Sequence, residues 1–130
     1  MKKTAILLAI AIGVVLAGLA QTGTAKYALM FTPNPMAPTA AAVANGKTLF
    51  VENCATCHGD NGRGRGPSAQ DIPRRVADLT RTWKSDGFLA AHITYGKRDY
   101  MPAWQDILSE EQIWELVIYI NELRTPDQGT

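Results

Sequence analysis

The sequence predicts an all-α fold of three main helices joined by long loops. Three observations carry that reading. Ser109, Glu110, Glu111 and Gln112 form a capping box, and Ile113, Leu116, Val117 and Ile120 follow it at i, i+3, i+4 and i+7. Nowhere does apolar and polar alternation persist as a strand would require. Between about Gly59 and Trp83 runs a stretch rich in Gly, Arg and Pro with no periodicity. So long an irregular segment is unusual in a small domain unless the loop serves something.

The chain has 130 residues, enough for one small domain and a leader. No internal repeat or low-complexity tract is present. Formal net charge is +1, which gives no reason to expect nucleic-acid binding. Only two cysteines occur, Cys54 and Cys57. A pair so close in sequence cannot staple distant loops, so the two sulfurs are expected to do something other than structural bridging.

Residues 1–25 read as a signal peptide or an uncleaved membrane anchor. Lys2 and Lys3 precede an apolar run from Ala5 to Ala20, and no charge follows until Lys26. Small residues allow cleavage after Ala20 or after Ala25. The uncharged run is also near the length of a bilayer span, although Ala, Gly and Thr dilute it. In both readings the two lysines stay cytoplasmic and the rest faces outward. A tether through residues 4–25 therefore remains open. Residues 26–40 carry Pro33, Pro35 and Pro38 and read as an extended linker. Its Tyr27, Leu29, Met30 and Phe31 could rest on a membrane surface or on the domain. The domain itself is placed at 41–126.

The first helix is expected from Thr39, as N-cap, to Asn53. Val43, Gly46, Phe50 and Asn53 share a face. Glycine inside a helix costs roughly 1 kcal/mol relative to alanine, which close approach of a second helix would explain. The second helix is expected from Asp86, as cap, to just before Gly96, with Phe88, Leu89, Ile93 and Tyr95 as its apolar content. The third starts at Ser109, is widened by Trp114, Tyr119 and Leu123, and stops before Pro126.

The chemistry lies in Cys54-Ala55-Thr56-Cys57-His58. C-x-x-C-H is the haem c attachment motif. Two thiols at this spacing can each bond one vinyl group on neighbouring pyrroles. The next residue, His58, then offers a nitrogen to the iron. A zinc site would need four ligands, and beyond His58 only His92 remains. A thioredoxin-like pair would need a βαβ setting, which is absent.

Of Met1, Met30, Met36 and Met101, the last is the candidate second axial ligand. It lies in Tyr100-Met101-Pro102-Ala103-Trp104, between the second and third helices. Pro102 disfavours helix at Met101 and holds the thioether on an extended segment. A thioether favours ferrous iron and raises the potential relative to a second imidazole. His92, inside the second helix, is the competitor.

These residues resemble the class I cytochrome c family, in its small bacterial mono-haem form. The resemblance covers about residues 41–124. It rests on Gly46-x-x-x-Phe50, Cys54-x-x-Cys57-His58-Gly59, Gly66-Pro67, Met101-Pro102-Ala103-Trp104 and Trp114-x-Leu116-Val117-x-Tyr119-Ile120. It implies an all-helical cytochrome c fold whose first and last helices cross near Gly46, Phe50, Leu116 and Tyr119. It implies one haem c on Cys54 and Cys57, with His58 and Met101 axial. It also implies a proline carbonyl accepting from the other nitrogen of the ligand histidine, with Pro67 the first candidate and Pro73 the second. Trp83, Arg74 and Arg75 are candidates for the haem propionates.

Charge is uneven along the chain. Arg63, Arg65, Arg74, Arg75, Arg81, Lys84, Lys97 and Arg98 outnumber the acids of residues 63–98, whereas residues 99–130 carry seven acids against Arg124. A basic region beside the haem loops would steer an acidic redox partner. The expected function is periplasmic electron transfer by one haem, between a respiratory or dehydrogenase donor and an oxidase or reductase acceptor. The protein is then a carrier or the haem subunit of a larger redox complex, and not itself an enzyme. The alternative is an open-iron haem protein for gas sensing or peroxide chemistry. The sequence names neither partners nor oligomeric state.

Overall fold

The computed structural model describes residues 23–124, so expectations about the leader and about Pro126 lie outside the described residues. Helix α1 occupies residues 23–30. It is followed by α2 (Ala40–Asn53), the single turn α3 (Ala55–His58), α4 (Asp86–Tyr95) and α5 (Glu110–Arg124). Two 3₁₀ turns, Ala69–Asp71 and Leu79–Arg81, punctuate the long loop. The described residues contain no strand beyond one isolated bridge, Lys97 to Met101.

Helix α2 begins where the sequence predicts. Thr39 is extended and its hydroxyl accepts from Ala42 N at 3.1 Å. The helix crosses α5 at Gly46. A Cβ there would overlap the Glu115 carbonyl and lie 2.9 Å from Tyr119 Cβ. One turn on, Phe50 is wholly buried, its ring centroid 5.3 Å from that of Tyr119. Burying a phenylalanine contributes about 1.5–3 kcal/mol, so this crossing is a principal joint of the fold.

Both halves of the predicted capping box form at α5. Ser109 N donates to Gln112 Oε1 at 2.9 Å and Gln112 N donates to Ser109 Oγ at 3.2 Å. The periodicity predicts one buried stripe, yet Ile113 to Tyr119 and Ile120 are buried in an unbroken run. The extra cover comes from four sides: α2 at Gly46, α4, the 3₁₀ turn Leu79–Arg81, and the segment that precedes α2. Glu115, buried within this run, accepts from Asn45 Nδ2 at 2.8 Å.

That preceding segment is where expectation and structure part. Residues 26–40 are not extended throughout, although residues 32–39 have no regular structure. Residues 26–30 are helical, and the segment straps the domain. Lys26 Nζ donates to Gly96 O at 2.7 Å, and Asn34 Nδ2 donates to Trp114 O at 3.3 Å. Leu29 and Met36 pack against the core. Gly87 admits the strap, because a Cβ there would overlap the carbonyls of Leu29 and Thr32. The prolines break the strap into turns rather than releasing it.

Helix α4 spans the predicted residues, but its cap is Ser85, whose Oγ accepts from Phe88 N at 3.3 Å. Asp86 is already helical and instead accepts from Asn121 Nδ2 of α5 at 3.0 Å. The carboxylate is spent on joining two helices, which leaves the cap to its neighbour.

Candidate functional site

Cys54 is the residue at which α2 ends, and its N–H still donates to Phe50 O at 2.8 Å. The chain re-enters helix at once, so Cys57 and His58 follow within one turn, with Cys57 N and His58 N both donating to Cys54 O. Gly59 ends that turn at φ +76, in the region open chiefly to glycine. The loop then folds back beneath. Gly66 N donates to Cys57 O and Ser68 N donates to Thr56 O. A Cβ on Gly66 would overlap the carbonyls of Ala55 and Thr56. The Gly66-Pro67 pair therefore clamps the backbone of the motif.

This geometry corrects the expected partner of His58. Neither Pro67 nor Pro73 reaches the imidazole. The carbonyl of Ala77 does, 3.2 Å from Nδ1. The physical reason is the second return of the loop. Leu79 N donates to Gly62 O at 2.7 Å, and Gly64 has φ +72 and packs on Val76 and Ala77. This return brings residues 76–79 to His58, while Pro67, in the first return, is exposed. A sequence signal existed only indirectly, in the Gly62 and Gly64 pair that makes the double turn.

With Nδ1–H donating to Ala77, the Nε2 lone pair of His58 is left for a metal. Burial holds the imidazole below its ordinary pKa, against the opposing effect of the Ala77 carbonyl, so it is neutral at neutral pH. The Phe50 and His58 ring centroids are 6.5 Å apart, which ties the imidazole to the core joint. Cys54 and Cys57 are both half-buried, and no disulfide joins them. Burial, and then the neighbouring Cys57, push the Cys54 thiol up to about 12. A redox-active or metal-thiolate cysteine needs the opposite shift. Among the described residues no group of three or more His, Cys, Asp or Glu could hold a bare metal ion.

Met101 is half-buried and packs against the same core cluster as Cys54. Its segment is fixed by paired bonds with Lys97, at 2.9 and 3.3 Å, and by Trp104 N donating to Ile93 O at 3.0 Å. Gly96 permits this, since a Cβ there would come within 2.6 Å of Met101 O. Two cysteine thiols, an imidazole with free Nε2 and a thioether on a segment fixed by the Lys97 bridge are a donor set of the kind that suits iron porphyrin. His92, the competing imidazole, has its Nδ1 2.9 Å from Phe88 O within its own helix and its ring stacked on Phe88 at 4.2 Å. Arg74 and Arg75 are exposed, as is Trp83, with Lys84 Nζ lying 3.7 Å from the Trp83 ring centroid. A cavity of about 310 Å³ between α4, α5 and Leu29 of the strap, lined also by Ala90, Thr94, Leu108, Ile113 and Trp114, is lined by none of the candidate ligands.

Comparison with known proteins bears on the family and the fold. The family model for cytochrome c oxidase, cbb3-type, subunit III matches residues 41–120. The cbb3-type cytochrome c oxidase subunit CcoP of Azospirillum brasilense is 34% identical over 102 residues, covering 76% of this chain and 34% of that protein. Subunit FixP of Bradyrhizobium diazoefficiens is 31% identical over 80 residues, covering 62% of this chain and 27% of that protein. The chain thus spans about a third of the length of these relatives. Among solved structures, the reducing HAO-like protein complex Kustc0457/Kustc0458 of Kuenenia stuttgartiensis contains a chain 29% identical with a TM-score of 0.65, over 70% of this chain and 47% of that one. The helical fold, the C-x-x-C-H turn and the matched family model together place this chain in the cbb3-type cytochrome c oxidase subunit III family, among the class I c-type cytochromes.

Proposed function

We propose that this chain carries single electrons through one haem c bonded to Cys54 and Cys57, with His58 and Met101 as axial ligands. The observation that carries the reading is the His58 Nδ1 contact with Ala77 O, because it selects the tautomer whose Nε2 is free. When bound, the haem supplies a one-electron Fe(II)/Fe(III) couple. The protein's part is to hold the ring of His58 in one orientation, to present a thioether from the Met101 segment, and to keep both positions filled. Filled axial positions leave no site for substrate, which suits outer-sphere transfer and disfavours gas binding or peroxide chemistry.

The reading extends to place and partners. The chain acts on the periplasmic side, after export by residues 1–25, as a haem subunit of a respiratory complex or a carrier tethered near one. The names of the relatives support the complex, and the exposed Arg63, Arg65, Arg74, Arg75 and Arg81 around the long loop support an acidic docking partner. The test is the intact mass and pyridine haemochrome of protein exported with haem-loading machinery. One haem per chain is expected, attached through two thioethers. Cys54→Ala and Cys57→Ala should each keep a single thioether, and the double variant should be colourless. A mature protein with both thiols free would overturn the reading.

A further inference from the structure

The strap divides its side chains between two destinations. Lys26, Leu29 and Met30 are half-buried, and Lys26 and Leu29 are held on the domain by the contacts already described. Tyr27 is 69% exposed and Phe31, one helical turn on, is 86% exposed. Thr24, Ala25 and Ala28 are exposed alongside them. The outward face is thus apolar and aromatic on a segment that cannot swing free. The backbone of Phe31 and Thr32 is closed onto Ala28 O and Leu29 O, and Ser85 Oγ donates to Met30 O at 3.3 Å.

Two features of the sequence say what this face meets. The uncharged run beginning at Ala5 leads directly into α1. No acidic residue occurs before Glu52, while Lys2, Lys3, Lys26 and Lys47 do. Asp86 lines a cleft with Phe31, but its carboxylate accepts from Asn121 Nδ2. An aromatic pair beside an apolar run, with basic and no acidic residues in the adjoining sequence, is the composition that settles at the boundary between lipid headgroups and acyl chains.

We propose that Tyr27 and Phe31 bed into the surface of the bilayer that the leader enters, and that the docked strap thereby sets the orientation of the haem domain on the membrane. This rests on the reading of residues 1–25 as a retained anchor, and the experiment separates the two. Haem-loaded full-length chain is reconstituted into stacked bilayers of phosphatidylethanolamine and phosphatidylglycerol. Electron paramagnetic resonance of the ferric haem is then recorded against tilt. The wild type is expected to show one preferred haem orientation, and the variant Y27S/F31S to lose most of that anisotropy with unchanged circular dichroism and potential. A wild type without anisotropy, or a variant that keeps it, overturns the proposal. Alkaline extraction and the mass of the N-terminus judge the anchor independently. If the leader is removed, the processed protein is sedimented with the same vesicles. Several-fold weaker binding of the variant supports the lipid-facing role, and equal binding overturns it.

Discussion

His58 Nδ1 lies 3.2 Å from the carbonyl oxygen of Ala77, and Gly64 stands behind that carbonyl with its α-carbon too close for any side chain. A Cβ at Gly64 would come within 2.5 Å of Val76 O and 3.0 Å of Ala77 O, at a φ of +72. The orientation of the His58 imidazole is therefore guarded by a glycine thirteen residues before its partner.

Gly64→Ala is expected to push the Ala77 carbonyl away from His58 and to strain the backbone by about 1–3 kcal/mol. Weakening that hydrogen bond makes the imidazole a poorer donor to ferric iron, so the midpoint potential rises while the midpoint of thermal unfolding falls. Potentiometric titration and calorimetry of the haem-loaded variant check both. An unchanged potential would mean that Ala77 does not tune His58.

Gly46→Val should separate α2 from α5. The side chain would meet the Glu115 carbonyl and Tyr119 Cβ, both backbone-anchored, so the usual cost of about 1–3 kcal/mol for overpacking outweighs the gain of less than about 1 kcal/mol from replacing a helical glycine. Denaturant unfolding should show it. Phe50 and Tyr119 move with the joint, so the haem-loaded yield should fall too. Gly46→Ala, with the smallest Cβ, is expected to be destabilised less.

His92→Gln bears on acid stability. Burial, the dominant influence, holds His92 below its ordinary 6.5, and Lys26, Lys97 and Lys84 add to the depression. The unfolded chain then takes up a proton before the folded one does. Stability is lost as pH falls below about 6.5, and the loss stops growing at the depressed folded value. The variant should show a shallower decline of unfolding free energy across that window, and its visible spectrum should be unchanged. A changed spectrum would point to His92 as an iron ligand.

Much of the fold was legible because its signals were local. The Thr39 cap, the Ser109 and Gln112 box and the bounds of α2, α4 and α5 all follow from short-range rules, and Gly46 announced the helix crossing by its cost in a helix. What was hidden depends on chain returns. Nothing in Pro33, Pro35 and Pro38 reveals that Asn34 and Leu29 find seats on α4 and α5, so a docked strap reads as a linker. For the same reason Ile118 and Glu115 look exposed by period yet are buried. Ala77 offers only a backbone carbonyl, which carries no residue-type signal. The thiols and imidazole were legible from their spacing alone, whereas the Met101 segment needed the demand that His58 creates.

Met101→Ala is expected to open one axial position. The variant should bind carbon monoxide readily, and its potential should fall by a substantial part of the roughly 0.8 V over which axial ligands tune haem. Met30 and Met36 lie on the strap, where Met36 packs against the core, so neither is expected to substitute.

The near-infrared spectrum of the ferric, haem-loaded protein tests the ligand set most directly. The wild type should show the weak sulfur-to-iron charge-transfer band of a thioether ligand, and Met101→Ala should lack it. A wild type without that band, or a variant that retains it, would contradict the assignment of Met101 opposite His58.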